Sequence, residues 1–173
     1  MLNPFEVFGI TPRFEIDIGE LEKRYRSLHR AALKNQRQSS DHAIILNRAF
    51  QILRDEIERG NFLLRLMGAS DSTESHTMNL EEGDLSDFLS LRESFEQAQN
   101  QGDLNSINAL LQIVNEECKK LRQEFDRALI TSDQEGAKRS FTRFRFYKRL
   151  MDELIKAKEE ISSQHHHLTN GSP

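Results

Sequence analysis

Few side chains in this 173-residue sequence could support covalent or metal chemistry, and their spacing argues against it. Cys118 is the single cysteine, which excludes an internal disulfide, a CxxC couple and a thiolate-ligated zinc or iron–sulfur site. It falls on the apolar stripe of a predicted helix, where a small buried side chain fits better than a reactive thiol. His165, His166 and His167 are consecutive on a polar tail, a poor fixed ligand set for a metal. His29 and His42 flank a predicted helical hairpin with no cysteine or paired carboxylate arrangement beside them. These residues predict no enzyme, no metal and no cofactor, and a protein that works by holding other proteins.

Charge narrows the choice of partner. The formal net charge is −4 and unevenly spread: residues 1–70 carry 11 Lys/Arg against 9 Asp/Glu, residues 71–104 carry 1 against 9, and the remainder carries 12 against 10. An acidic stretch between two mildly basic ones offers no concentrated basic face for phosphates, so nucleic acid is not an expected partner. No window approaches the ~20 apolar residues that span a bilayer, and the sequence opens in patterned helix with no apolar signal core. No membrane association is expected, and the lone cysteine suits a reducing, cytoplasmic setting.

The elements that must position any binding surface are helical. Proline occurs only at positions 4, 12 and 173, and 36% of residues are apolar, enough for a core. Asn3, Pro4 and Glu6 can cap a short first turn carrying Phe5 and Phe8, which Gly9 ends. Asp17 with Glu20 repeats the capping pattern before a helix with Leu21, Tyr25, Leu28 and Ala32 on one face. Its other face is basic, with Lys23, Arg24, Arg26, Arg30, Lys34 and Arg37. After Ser39 and Ser40, Asp41 is the expected cap of a third helix with a buried stripe of Ile45, Ala49, Leu53 and Ile57 joined by Phe50, continuing through Phe62, Leu63 and Leu66 to Gly68.

Residues 69–84 are polar and acidic and read as a linker. Asp84 is the expected cap of a helix bearing Leu85, Phe88, Leu89, Leu91 and Phe95, ended by Gln101-Gly102. Asp103 then caps a helix in which Leu104, Ile107, Leu111, Val114, Cys118, Leu121 and Phe125 recur every three or four residues. Ser132 with Glu135 is the expected capping box of a last helix carrying Phe141, Phe144, Tyr147, Met151, Leu154 and Ile161 to about residue 162. The predicted architecture is all-α: a helical hairpin with a short first helix over 1–70, a linker at 71–84, a three-helix antiparallel bundle over 85–162, and a disordered tail at 163–173.

Several of these segments, in order and spanning about residues 3–160, resemble HscB, the J-domain co-chaperone of iron–sulfur cluster assembly. They are NPFEVFGI at 3–10, ELEKRYRSLHRAAL at 20–33, LNRAFQILRDEIERGNFLLRLMG at 46–68, LSLRE at 89–93 and RFRFYKRL at 143–150. The resemblance implies an N-terminal J-domain that docks on an ATPase chaperone of the DnaK/HscA type through the basic helix (Lys23, Arg24, Arg26, Arg30, Lys34). It also implies a C-terminal bundle that binds the iron–sulfur scaffold protein, of the IscU type. One departure stands out: J-domains carry a His-Pro-Asp tripeptide just after this helix, and Leu33, Lys34 and Asn35 occupy its place. They supply neither the proline that fixes the backbone nor the carboxylate that meets a chaperone arginine, so weak or lost ATPase stimulation is expected.

By the same resemblance the scaffold-binding patch falls on Leu85, Leu89, Glu93, Gln97 and Phe146, with Ser86, Ser90 and Gln97 as departures. Positions 85, 89, 93 and 97 rise in steps of four and share one helical face. Phe146 stands off the main stripe of its helix, so a partner contact and a core aromatic are both open readings. Two rival functions are an adaptor without chaperone coupling and a self-associating helical protein, although the stripes lack sustained a/d heptads.

Overall fold

The structure is a computed structural model that describes residues 3–34, 39–69 and 82–169. Among these residues it is all-α, as expected, with helices α1 (Pro4–Phe8), α2 (Ile18–Lys34), α3 (Ser39–Arg54), α4 (Glu56–Leu66), α5 (Glu82–Gln101), α6 (Leu104–Thr131) and α7 (Gln134–Thr169). Packing divides the chain into two compact units, Met1–Thr73 with Phe125–Lys138, and Glu74–Glu124 with Arg139–Pro173. The turn joining α6 to α7 therefore belongs with the first unit.

In that unit, the opening turn forms as its residues require. The Asn3 side chain accepts from the Phe5 amide at 3.1 Å and donates to Glu6 Oε1 at 2.9 Å, and Gly9 ends α1 with φ of 60°. Phe5 and Phe8 are buried, and Phe8 packs on Phe50, which stacks on Tyr25 with ring centroids 4.3 Å apart. Asp17 caps α2 by accepting from the Glu20 amide at 3.0 Å. The hairpin of α2 and α3 is thus closed at one end by the aromatic side chains of α1.

Four sequence expectations are corrected in and around α3. The helix begins at Ser39, so Asp41 lies inside its first turn rather than at its cap. The helix also stops at Arg54 instead of running to Gly68. Asp55 takes an extended conformation and its carboxylate accepts from the Ile57 and Glu58 amides at 2.8 and 2.9 Å, starting α4. In a continuous helix the Leu53 carbonyl would receive the Ile57 amide; here the buried Arg59 guanidinium donates to it instead. The buried stripe is Leu46, Ala49 and Leu53, at spacings of three and four, which leaves the neighbouring Ile45 38% exposed; Ile57, beyond the extended Asp55 and in α4, is half-buried. Across from it, Leu28 is also exposed at 40%.

The second unit is the three-helix bundle. Gly102, with φ of 63°, ends α5, and Asp103 caps α6 by accepting from the Asn105 and Ser106 amides and the Ser106 hydroxyl. Those bonds hold the Asp103 carboxyl below its ordinary pKa, the Ser106 hydroxyl contributing most. Ile107, Val114, Cys118 and Leu121 of α6 and Phe141, Phe144, Leu150, Leu154 and Ile161 of α7 form the core with Phe88 and Phe95 of α5. Residues pair 84 with 143, 88 with 147 and 92 with 153, so α5 and α7 run parallel and α6 runs against both.

Three helix ends here also differ from the sequence reading. Helix α5 starts at Glu82, which places Asp84 in its first turn. Asp133, not Ser132, caps α7: its carboxylate accepts from the Gly136 amide at 2.9 Å, while Ser132 adopts φ of 55° and so cannot lead a capping box. Helix α7 continues past residue 162 to Thr169, since no glycine or proline interrupts it before Gly171. Most of the expected linker, residues 70–81, and the end of the tail, residues 170–173, lie outside the described residues.

Candidate protein-binding site

The residues expected to bind a scaffold sit on the two parallel helices of the bundle. Leu89 is 47% exposed, Glu93 and Gln97 are exposed, and Leu85 is half-buried one turn before Leu89. The α5 strip is therefore continuous and open to solvent. Phe146, on α7, is half-buried, with its ring 5.8 Å from that of the buried Phe88 and tilted by 59°. Phe88 also meets Tyr147 edge-on at 5.5 Å. Phe146 thus has one side supported by the bundle and the other accessible.

Of the two serines that depart from the family pattern, Ser90 bonds back onto its own helix, as does the nearby Ser94. The Ser90 hydroxyl donates to the Ser86 carbonyl at 3.1 Å, and the Ser94 hydroxyl to the Ser90 carbonyl at 2.9 Å. Neither adds an apolar contact or a charge to the strip.

Electrostatics across the bundle come from residues that no single-helix pattern reveals. Arg92 reaches Glu153 at 2.5 Å, and Arg149 shares the same carboxylate at 3.3 Å. Arg143 links all three helices, lying 2.8 Å from Glu117 and 3.3 Å from Asp84. One signal was available: Arg92 is the only Lys/Arg between residues 71 and 104, and a lone cation in an acidic stretch invites a cross-helix role. Burial pushes the Tyr147 hydroxyl above its ordinary pKa, Glu117 adds to the shift, and Arg143 opposes it.

On α2 the expected docking cations divide. Lys23 and Arg30 are exposed, and Arg26 is exposed with a loose contact to Glu22 at 3.9 Å. Arg24 instead donates to the Phe8 and Gly9 carbonyls at 3.0 and 3.2 Å, neutralising the end of α1. The side chains of Leu33 and Lys34, and Asn35 entirely, lie outside the described residues. No three His, Cys, Asp or Glu side chains converge as a metal site among the described residues. No helix among them is long and apolar enough to cross a membrane.

Sequence reasoning missed a further constellation in the first unit. Phe14, in a segment without regular structure, is fully buried against Phe125, with ring centroids 5.0 Å apart at 79°. Its amide and that of Glu15 donate to Asp126 at 2.6 and 3.1 Å, and its carbonyl accepts from Arg59 Nε at 2.7 Å.

The fold defines a class: an all-α protein whose helical hairpin module precedes a three-helix bundle displaying an apolar and acidic strip. The chain belongs to the HscB co-chaperone family. It is 31% identical over 173 residues to the HscB homolog of Shewanella baltica, with 92% of this chain and 99% of that relative covered. Residues 85–155 match the family described as the HSCB C-terminal oligomerisation domain. Its fold is similar to that of human co-chaperone protein HscB (TM-score 0.79, 22% identity, 91% of this chain and 83% of that one). It is also similar to that of chaperone HscB from Vibrio cholerae (TM-score 0.74, 22% identity, 92% and 99%).

Proposed function

We propose that this co-chaperone of iron–sulfur cluster biogenesis works by capturing a folded cluster scaffold on the α5–α7 face of its bundle, and that its hairpin docks on a DnaK/HscA-type ATPase chaperone in the cytoplasm with little stimulation of ATP hydrolysis. The observation that carries the first part is Leu89, 47% exposed on a rigid helix in line with Glu93 and Gln97, together with the half-buried Phe146 resting on Phe88. Apolar anchors held by packing lose little conformational freedom on binding, which is why such residues dominate interfaces. Glu93 adds a carboxylate for a cationic partner surface.

The chaperone part rests on Lys23, Arg26 and Arg30, which face solvent on α2, and its limit rests on Leu33, Lys34 and Asn35 standing where the family has His-Pro-Asp. Removing a carboxylate that pairs with a chaperone arginine costs a few kcal/mol at a desolvated contact, on the order of a hundredfold in the coupled step. The loss of the tripeptide also favours a second reading, in which the chain is a scaffold adaptor with no chaperone coupling.

The test is co-purification with the scaffold and chaperone of the same genome, alongside an ATPase assay. Leu89→Ala and Phe146→Ala should each lower scaffold capture by about tenfold or more. Undiminished capture by both variants would remove the proposed face. Many-fold ATPase stimulation at low concentration would contradict the limit set by the tripeptide, and failure to retain the chaperone at all would favour the adaptor.

A further inference from the structure

Within the bundle, α5 and α6 leave between them an open groove of about 840 Å³ whose base is closed by Tyr147 of α7. The groove uses Asp87, Ser90, Leu91 and Ser94 of α5; Ser90 is one of the positions aligned with the scaffold patch, while the helical repeat sets the other three to one side of the Leu85, Leu89 and Glu93 strip, so the groove adjoins the scaffold face and is centred beside it. Its wall is partly apolar: Ile113 of α6, 53% exposed, and the half-buried Leu91 of α5 both line it. Its lips are acidic. Glu117 is already held by Arg143 at 2.8 Å and Lys120 at 3.8 Å. Asp87 on one lip has no ion pair among the described residues. Glu116 on the other lip has only Lys119 at 4.0 Å, a pair whose side chains are 60% and 70% exposed and which water therefore screens.

We propose that this groove takes a basic segment of a client polypeptide, one large apolar side chain flanked by lysines or arginines. The apolar residue would cover Ile113 and Leu91, and the flanking cations would meet Asp87 and Glu116 from opposite sides. Charge complementarity selects this occupant. The chain's own residues 69–84 carry five carboxylates and no lysine or arginine, so the lips repel that segment. A basic segment gives Asp87 a cation, supplements the loose, water-screened Lys119 contact of Glu116 and covers exposed isoleucine in one step.

The probe is a fluorescein-labelled peptide of alternating lysine and leucine, titrated by fluorescence anisotropy against the full chain, with its glutamate–leucine counterpart as comparison. The lysine peptide should bind, its affinity falling as salt rises, and the glutamate peptide should bind at least about tenfold more weakly. Asp87→Lys with Glu116→Lys should weaken the lysine peptide by about tenfold or more, and Ile113→Ser by several-fold, while Ile155→Ser, an exposed apolar residue outside the groove, should leave it unchanged. If the lysine pair disturbs folding, Asp87→Asn with Glu116→Gln should still weaken binding by several-fold. The proposal is overturned by equal binding of the two peptides, by unchanged affinity in either double variant, or by no binding. It is also overturned if Leu89→Ala weakens the probe as much as the groove variants do, which would seat the peptide on the scaffold strip. A dimer in sedimentation that Glu116→Lys dissociates would assign the groove to a second copy and equally overturn it.

Discussion

The ring of Phe146 on α7 rests 5.8 Å from the ring of Phe88 on α5, so one aromatic side chain both braces the bundle and edges its exposed face. Two readouts should separate these roles. Phe146→Ala should lower stability by about 1–2 kcal/mol in urea unfolding, through lost ring packing, as well as lowering scaffold capture. Leu89→Ala, with 47% of the side chain already in water, should change stability by less than about 0.5 kcal/mol while weakening the same partner. Equal destabilisation by the two variants would contradict the division.

Arg143 carries the polar connection of the bundle. It bridges Glu117 and Asp84, with all three side chains about a fifth exposed (18%, 22% and 23%). Arg143→Met should leave Asp84 without its cation and Glu117 with only the looser Lys120 at 3.8 Å, and cost about 2–3 kcal/mol. Lys148→Ala, which breaks a pair with the more exposed Asp152, should cost less than about 1 kcal/mol. Comparison of the two denaturation midpoints checks the contrast.

In the first unit, Asp126 accepts the Phe14 and Glu15 amides and so holds an irregular segment in place. Asp126→Ala should strand a donor in a part-buried site, cost about 1–3 kcal/mol and accelerate hydrogen exchange at the Phe14 amide. Asp126→Asn keeps an acceptor and should recover most of the loss. Unchanged exchange in the alanine variant would show that Phe14 is held by its ring alone.

Tyr147 makes the stability depend on alkaline pH. Burial and Glu117 raise its pKa in the folded chain, so the folded state holds the phenolic proton where the unfolded chain, near pH 10, releases it. The contribution is therefore complete below the unfolded pKa and is lost as pH rises through the higher folded value. Tyr147→Phe should flatten the decline in stability above about pH 10 and leave the neutral range nearly unchanged. An identical alkaline decline in both proteins would place its cause elsewhere.

Much of the architecture was legible in the chain because helical periodicity and caps are local. Asn3, Pro4 and Gly9 define α1, Asp17 and Asp103 start their helices, and the residues of α6 recurring every three or four positions, Ile107, Val114, Cys118 and Leu121, are the ones the bundle buries. The strip of Leu85, Leu89, Glu93 and Gln97 came from the family resemblance; spacing adds only that steps of four share one helical face.

Tertiary structure decided the rest, and the reason is sequence separation. The break at Asp55 depends on Arg59 taking the Leu53 carbonyl while also holding Phe14, which lies 45 residues away. Phe14 left no local signal of its burial because its partners, Phe125 and Asp126, lie more than a hundred positions further along. Whether Phe146 belonged to core or surface depended on Phe88, on a helix that periodicity describes but cannot orient. A repeating pattern specifies which face of a helix is apolar; which side chains meet across helices depends on how the helices dock, and no local window contains that.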